Sequence, residues 1–264
     1  MTDDKIEAII AATYPALDEW SERLVSPFYP TVGSALDVDD TDWPPRPLTQ
    51  VAASSLGAAN DHLKAVRTTL LARQLFPFAT GTLIRGALIA SAQATWVLAP
   101  SSHPDRITRA RQVADEDYHR HAGHLRTLMT TRGAKANPNN AEVFNHATSR
   151  AAEIREKRNL AGDKAHFDTK KMVSEATTEA LGKGFASEAV AEWQRLSGSA
   201  HGLTWSILGR AGTTTRSAPD QNGMATIGAG GALADIVNPY MLAFRLTEFG
   251  FRRLDELNVV TPAT

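Results

Sequence analysis

Apolar residues recur at α-helical spacing through most of this sequence, and the strict alternation that marks a half-buried strand is almost absent. The periodicity predicts helices over about 3–24, 48–73, 78–98, 104–132, 141–158, 169–181, 187–210 and 232–257. The breaks fall at Pro77, Pro100, Gly133 and the turn 137–140, where residues that end helices or form turns occur. The sequence therefore predicts an all-α protein, a single helical bundle of about seven or eight helices.

Two stretches interrupt the helical pattern. Residues 26–47 contain five prolines and the run Asp37-Val-Asp-Asp40, so an extended Pro-rich strap is expected, held down by the aromatic side chains of Phe28, Tyr29 and Trp43. Residues 211–231 are rich in Gly, Thr and Ser and predict a long loop that could include a short hairpin. No repeat or composition shift marks a boundary, so a single domain over 1–264 is expected.

Composition and charge narrow the classes of function. The chain has 28 Lys and Arg against 29 Asp and Glu, so it has no general field for nucleic acid, and any such contact must come from a local patch. The absence of Cys excludes disulfides, thiolate metal sites and a cysteine nucleophile, and it fits a reducing compartment. Neither a membrane-spanning apolar run nor a secretory signal is evident, so a cytoplasmic protein without membrane partner or cofactor is expected.

The most chemically suggestive segment is Arg195-Leu-Ser-Gly-Ser-Ala-His201, within the helix predicted over 187–210. Gly198 and Gly202 would each cost about 1 kcal/mol relative to Ala in a helix interior. Close approach of another helix is the favoured reason for them, and a ligand or second subunit is the alternative. Ser197 lies one turn before His201, but the segment contains no Asp or Glu that could orient the histidine, so a serine nucleophile is the less favoured interpretation.

The Arg195-x5-His201 spacing on the penultimate long helix resembles the Arg-x4–6-His signature of HEPN-type domains, which occur in toxins and abortive-infection proteins, many of them ribonucleases. The surrounding residues 193–202 and the stretch 83–100 are similar to segments of uncharacterised bacterial relatives of that group. The resemblance implies metal-independent RNA cleavage, with His201 as the base and Arg195 stabilising the phosphorane charge. It also implies a homodimer.

Helix geometry agrees with that implied homodimer. Six residues along an ideal helix turn two side chains about 120° apart, so Arg195 and His201 would not share one face. A composite site across a two-fold interface suits them better than a site within one chain.

Asp117, His121 and His124 form a second candidate site, because they lie on adjoining turns of the helix predicted over 104–132 and are residue types that bind metal ions. A solvated helix face with charge pairs one turn apart has the same spacing and is the preferred interpretation.

Two further features with basic side chains could bear on function or on packing. Arg85 lies in the least polar predicted helix and needs an acidic partner if it is buried, for which Glu188, Glu192 and Glu248 are the expected choices. The basic turn from Lys157 to His166 is interpreted as solvent-facing.

The function stays open between three classes. The favoured one is a HEPN-like helical protein, a metal-independent ribonuclease or toxin of a defence system. The second is a non-catalytic helical binding or scaffold protein of bacterial or phage origin. The third is a metal-dependent enzyme that uses His121 and His124.

Overall fold

The computed structural model describes residues 1–131 and 138–260. Its α-helices are α1 (Asp3–Ala11), α2 (Tyr14–Arg23), α3 (Ala35–Asp40), α4 (Leu48–Leu71), α5 (Ala79–Leu98), α6 (His103–Leu128), α7 (Pro138–Leu160), α8 (Thr169–Leu181), α9 (Ala186–Ala200) and α10 (Leu233–Leu257). Short 3₁₀ turns cover Lys183–Phe185 and Thr204–Ile207. Two strands, β1 (Thr213–Thr215) and β2 (Ile227–Ala229), form an antiparallel hairpin inside the loop predicted over 211–231. The prediction of an all-α helical bundle is confirmed.

The described residues group into two compact units. Unit 1 comprises 1–29, 52–99 and 169–256, and unit 2 comprises 30–51, 100–131, 138–168 and 257–260. Each unit has buried apolar side chains of its own. The expectation of a single domain over 1–264 stays a prediction.

Unit 1 is organised around α5, which packs against both α8 and α9. Helix α5 suits this position because Ile84, Ala87, Leu88 and other side chains around most of its circumference are apolar and buried. Elsewhere in the unit, the Trp20 ring of α2 stacks on Phe251 of α10 with centroids 5.0 Å apart. The packing of α5 and α8 against α9 positions the helix that begins the segment 193–210.

Unit 2 contains the antiparallel pair α6 and α7, which contact each other along their length. Ala122, Leu125 and Ala147 form the apolar cluster towards one end of the pair. Arg158 of α7 meets Asp115 of α6 further along, a register that requires the helices to run in opposite directions.

The N-terminal segment departs from the predicted pattern in two places. The helix predicted over 3–24 is divided into α1 and α2, with Pro15 in the first turn of α2, a position that tolerates its missing amide hydrogen. The expected strap over 26–47 includes α3, whose N-cap Ser34 accepts a hydrogen bond from the Asp37 amide. The prediction that residues 26–47 are extended throughout is therefore wrong.

Ion pairs join this strap to α6 within unit 2. Asp39 is fully buried and accepts two hydrogen bonds from Arg106 of α6, at 2.6 and 3.0 Å. Asp42 accepts two from Arg111. Of the aromatic side chains expected to hold the strap, Trp43 packs edge-on against Tyr118, whereas Tyr29 is exposed.

Two predicted breaks lie in or beside an undescribed stretch. Gly133 and Asn137, expected to end one helix and begin a turn, lie outside the described residues. Pro138, assigned to that turn, is instead the first residue of α7, where its fixed φ suits a helix start. Across the described ranges, every helix is too short or too polar to cross a lipid bilayer.

Candidate functional site

The helix that carries Arg195 and Ser197 ends earlier than its apolar periodicity predicts. Gly202 has φ +67°, and the amides of Gly202 and Leu203 donate to the carbonyls of Ser199 and Gly198. This pair of bonds is a Schellman motif, in which glycine adopts the left-handed conformation that closes a helix. The predicted continuous helix over 187–210 is wrong, and His201 occupies the C-cap of α9.

Gly198 allows close packing at this helix end, although the contacting element differs from the expected crossing helix. A Cβ at Gly198 would lie 2.7 Å from Cζ2 of Trp205 and 2.8 Å from Cβ of Ser206. Both residues belong to the 3₁₀ turn that follows α9 and folds back against it. Gly81 of α5 provides the close helix contact, since a Cβ there would lie 3.2 Å from Cβ of Ser199.

Ser197 is bonded to an arginine of α5. Nε of Arg85 donates to Oγ of Ser197 at 2.9 Å, and that hydroxyl donates to the Trp193 carbonyl at 2.8 Å. Two of the carboxylates expected as partners of Arg85 are paired with other residues, Glu192 with Arg195 and Glu248 with Arg245. An acidic partner is expected only for a buried Arg85. Arg85 is half-buried, so water can solvate part of its charge and the Ser197 hydroxyl takes the place of a carboxylate.

Arg195 is held on the surface of α9 by a neighbour one turn earlier. Its Nε and Nη2 donate to Oε2 of Glu192 at 2.9 and 2.5 Å, and Nη2 also donates to the Asp235 carbonyl at 3.1 Å. Both side chains of the pair remain 23% exposed. Nη1 of Arg195 makes no hydrogen bond to any described residue, so this corner of the guanidinium can bind a ligand.

Arg210 is a third guanidinium beside α9, and sequence reasoning missed it. Nη2 donates to Oγ of Ser199 at 2.6 Å and Nη1 to the Pro77 carbonyl at 2.9 Å. Nε is buried and has no hydrogen-bond partner within 1–131 and 138–260. Burial is the main cause that lowers the pKa of Arg210, and the positive charge of Arg195 lowers it further. The negative charges of Asp235 and Glu192 raise it, but by less. Arg210 lies nine residues after His201 and beyond a turn, so helical periodicity in the sequence could not indicate that its side chain contacts α9.

His201 is exposed at the end of α9, with a small apolar surface next to it in the chain. The side chains of Leu203, Trp205 and Leu208 are 46 to 56% exposed, which is unusual for three large apolar residues so close together. The segment 201–208 therefore combines an accessible imidazole with an apolar surface that another molecule can cover.

The candidate metal ligands lie on α6 of unit 2. Oδ2 of Asp117 is 3.2 Å from Nη1 of Arg46, and His121 and His124 are exposed. In the described part of the chain, no group of three or more His, Asp or Glu side chains is arranged to hold a metal ion. The preferred interpretation of a solvated helix face stays a prediction.

The basic turn from Lys157 to His166 is only partly solvent-facing. Arg158 is 8% exposed and is bonded to Asp115 and Asp163. The prediction is wrong for this residue because α6 supplies a carboxylate that periodicity within α7 cannot indicate.

Comparison with models of known protein families, with curated proteins and with solved structures found no match for this chain. These comparisons therefore assign the chain to no family. The resemblance to HEPN domains stays a prediction from residues 193–202 and 83–100.

Proposed function

We propose that this protein is a HEPN-like, metal-independent ribonuclease whose site is formed by the C-terminal half of α9. The observation that carries the proposal is an exposed histidine at the end of a helix whose last turns are contacted by two arginines and contain a third. Arg85 and Arg210 bind serines four and two residues before His201, and Arg195 lies on the same helix. Arg195 is the guanidinium assigned to the phosphodiester, because its Nη1 makes no hydrogen bond to any described residue while its other nitrogens pair with Glu192 and the Asp235 carbonyl.

The chemistry needs only groups of these types. The imidazole of His201 accepts the proton of a ribose 2′-hydroxyl, the 2′-oxygen bonds to phosphorus, and the bond from phosphorus to the 5′-oxygen breaks. The departing 5′-oxygen takes a proton from water, and His201 returns its proton to solvent. Arg195 stabilises the charge that develops on the non-bridging oxygens. The products are a 2′,3′-cyclic phosphate and a 5′-hydroxyl.

A homodimer is part of this proposal. Leu203, Trp205 and Leu208 expose apolar surface beside His201, and covering it with the same segment of a second copy would bring two histidines and two sets of arginines together. The activity would belong to the cytoplasm, in line with the cysteine-free composition.

The test is cleavage of an RNA oligonucleotide carrying a fluorophore and a quencher, in buffer containing EDTA. His201→Ala should abolish cleavage, and Arg195→Gln should reduce the rate at least a hundredfold, because each removes a group used in the transition state. His124→Ala, an exposed histidine on α6, is the matched control and should retain full activity. Equal cleavage by His201→Ala and the unmodified chain would overturn the proposal.

A non-catalytic binding protein is the second candidate, and the exposed apolar residues at 203–208 favour it specifically. It predicts no cleavage of any RNA and a partner or subunit whose binding Trp205→Ala weakens strongly, since exposed aromatic side chains often dominate interfaces. Sedimentation analysis of the two chains separates the candidates when combined with the cleavage assay.

A further inference from the structure

Unit 2 contains a cavity of about 470 Å³ between α6, α7 and the segment that follows α7. Its size lies within the roughly 300–1,000 Å³ typical of small-molecule sites. None of the residues assigned to RNA cleavage lines it. The proposed RNA cleavage therefore does not explain this cavity.

A buried ion network forms one wall of this cavity. Arg158 donates from Nε to Asp163 at 2.8 Å, from Nη1 to Asp115, and from Nη2 to the Ala165 carbonyl. Asp163 reaches Arg158 because α7 ends in a Schellman motif at Gly162, with φ +73° and a bond from the Asp163 amide to the Arg158 carbonyl at 2.9 Å. One guanidinium is therefore shared between two carboxylates in this wall, and Arg155 supplies the second cation through its bond to Asp115.

The carboxylates of the cavity all have basic partners. Asp115 accepts from Arg158 and Arg155, and Asp163 accepts from Arg158 and from the Gln112 amide. Glu116 is bonded to Arg120 on the same helix at 2.5 Å. A cationic ligand would have to displace these bonds.

The basic groups of the cavity keep unused donors. Lys164, His119 and His166 are exposed and make no hydrogen bond or ion pair with any residue in the described ranges. Arg155 uses only Nη2, at 3.2 Å from Asp115, which leaves its Nε and Nη1 for a ligand. The groups of the cavity that can still bind a ligand are therefore hydrogen-bond donors, and they lie on α6, on α7 and on the segment after α7.

We propose that this cavity binds a small phosphate monoester, with Arg155 and Lys164 as the groups that hold the phosphoryl oxygens. The placement of the basic residues favours a phosphoryl group over a carboxylate. They come from α6, from α7 and from the segment after α7, so they can contact the three terminal oxygens of a phosphate monoester, whereas a carboxylate offers two oxygens in one plane. Phe167 lines the same cavity and offers an apolar surface to the body of the ester.

The test is isothermal titration of the full chain with phenyl phosphate. Phenyl phosphate should bind with a measurable Kd, and Arg155→Gln and Lys164→Gln should each weaken binding about tenfold, since each removes charged hydrogen-bond donors. Both substitutions keep Arg158 with its bonds to Asp115 and Asp163, and Lys164 is exposed and outside that network, so Lys164→Gln tests binding even if Arg155→Gln, which loses a bond to Asp115, is less stable. Arg150→Gln, on the same helix but outside the cavity, should leave the Kd unchanged.

Four outcomes would overturn all or part of this proposal. Absence of heat with phenyl phosphate, or equal affinities for the three variants, would remove the site. Binding of benzoate as tight as that of phenyl phosphate would contradict the preference for a phosphoryl group. Inorganic phosphate binding as tightly as the ester would contradict a role for the apolar wall. None of these results depends on whether the chain cleaves RNA.

Discussion

Nε of Arg158 donates to Oδ2 of Asp163 at 2.8 Å, five residues further along the chain, while Nη1 of the same guanidinium bonds to Asp115 of α6. All three side chains are at most 10% exposed. One arginine therefore joins α7 both to its neighbouring helix and to the segment that follows it. Removing either carboxylate or the guanidinium should therefore lower the free energy of unfolding more than removing a member of an exposed ion pair does.

Arg158→Gln should lower the free energy of unfolding by about 3–5 kcal/mol, because it leaves buried Asp163 without a cation and buried Asp115 with only the longer bond to Arg155. Urea denaturation followed by circular dichroism measures the change. The control is Arg150→Gln on the same helix, whose pair with Glu153 is exposed and should contribute less than about 1 kcal/mol. Equal losses in the two variants would contradict a buried network.

Stability should fall at acid pH partly through Asp163. Burial by itself would raise the pKa of this carboxyl, but hydrogen bonds from Arg158 and from the Ala165 amide outweigh burial and leave the pKa below its ordinary value of 3.8. A lowered folded-state pKa means that the contribution of Asp163 is complete above the unfolded pKa and is lost as the pH falls through the folded one.

The measurement is the free energy of unfolding between pH 2 and 6 for the unmodified chain and Asp163→Asn. The asparagine variant should be less stable near neutral pH and should show a shallower loss towards acid. A parallel pair of curves would show that Asp163 titrates alike in both states, contrary to the geometry.

Ser197→Ala tests whether this serine is a nucleophile. Its Oγ is committed to Arg85 and to the Trp193 carbonyl, so we expect it to position Arg85 rather than to attack a substrate. If the proposed ribonuclease activity is present, the variant should keep cleavage within about tenfold of the unmodified rate, with a larger effect on KM than on kcat. Complete loss of cleavage with an unchanged Tm would instead favour a nucleophilic serine.

Gly198→Ala should destabilise the end of α9. The added Cβ would overlap Trp205 and Ser206, and such overpacking costs about 1–3 kcal/mol, more than the gain of about 1 kcal/mol in helix propensity. Thermal unfolding should show a lower Tm, and Trp205 fluorescence should change as the 3₁₀ turn moves. Gly184→Ala, with no atom within 4 Å of the added Cβ, is the control and should change stability by less than about 0.5 kcal/mol.

Several departures from prediction share one cause. Periodicity reports which face of a helix is apolar, and it continued through 187–210 although the chain turns at Gly202. Glycine at this place could have been interpreted as a helix end as readily as a packing site. The strap over 26–47 was predicted from its prolines, yet its Ser34 and Asp37 spacing also allows a capped helix, which is α3.

The sequence by itself determined the helical class, most helix positions and the spacing of Arg195 and His201, because these depend on neighbours within a few residues. Only the tertiary structure decided which charges meet. Arg85 and Ser197 are 112 positions apart and Asp115 and Arg158 are 43 apart, so their pairing depends on how helices pack. Burial of a charge requires a partner but does not specify it, because several carboxylates of suitable type lie along the chain. Helix packing therefore selected Asp115 for Arg158 and a hydroxyl for Arg85.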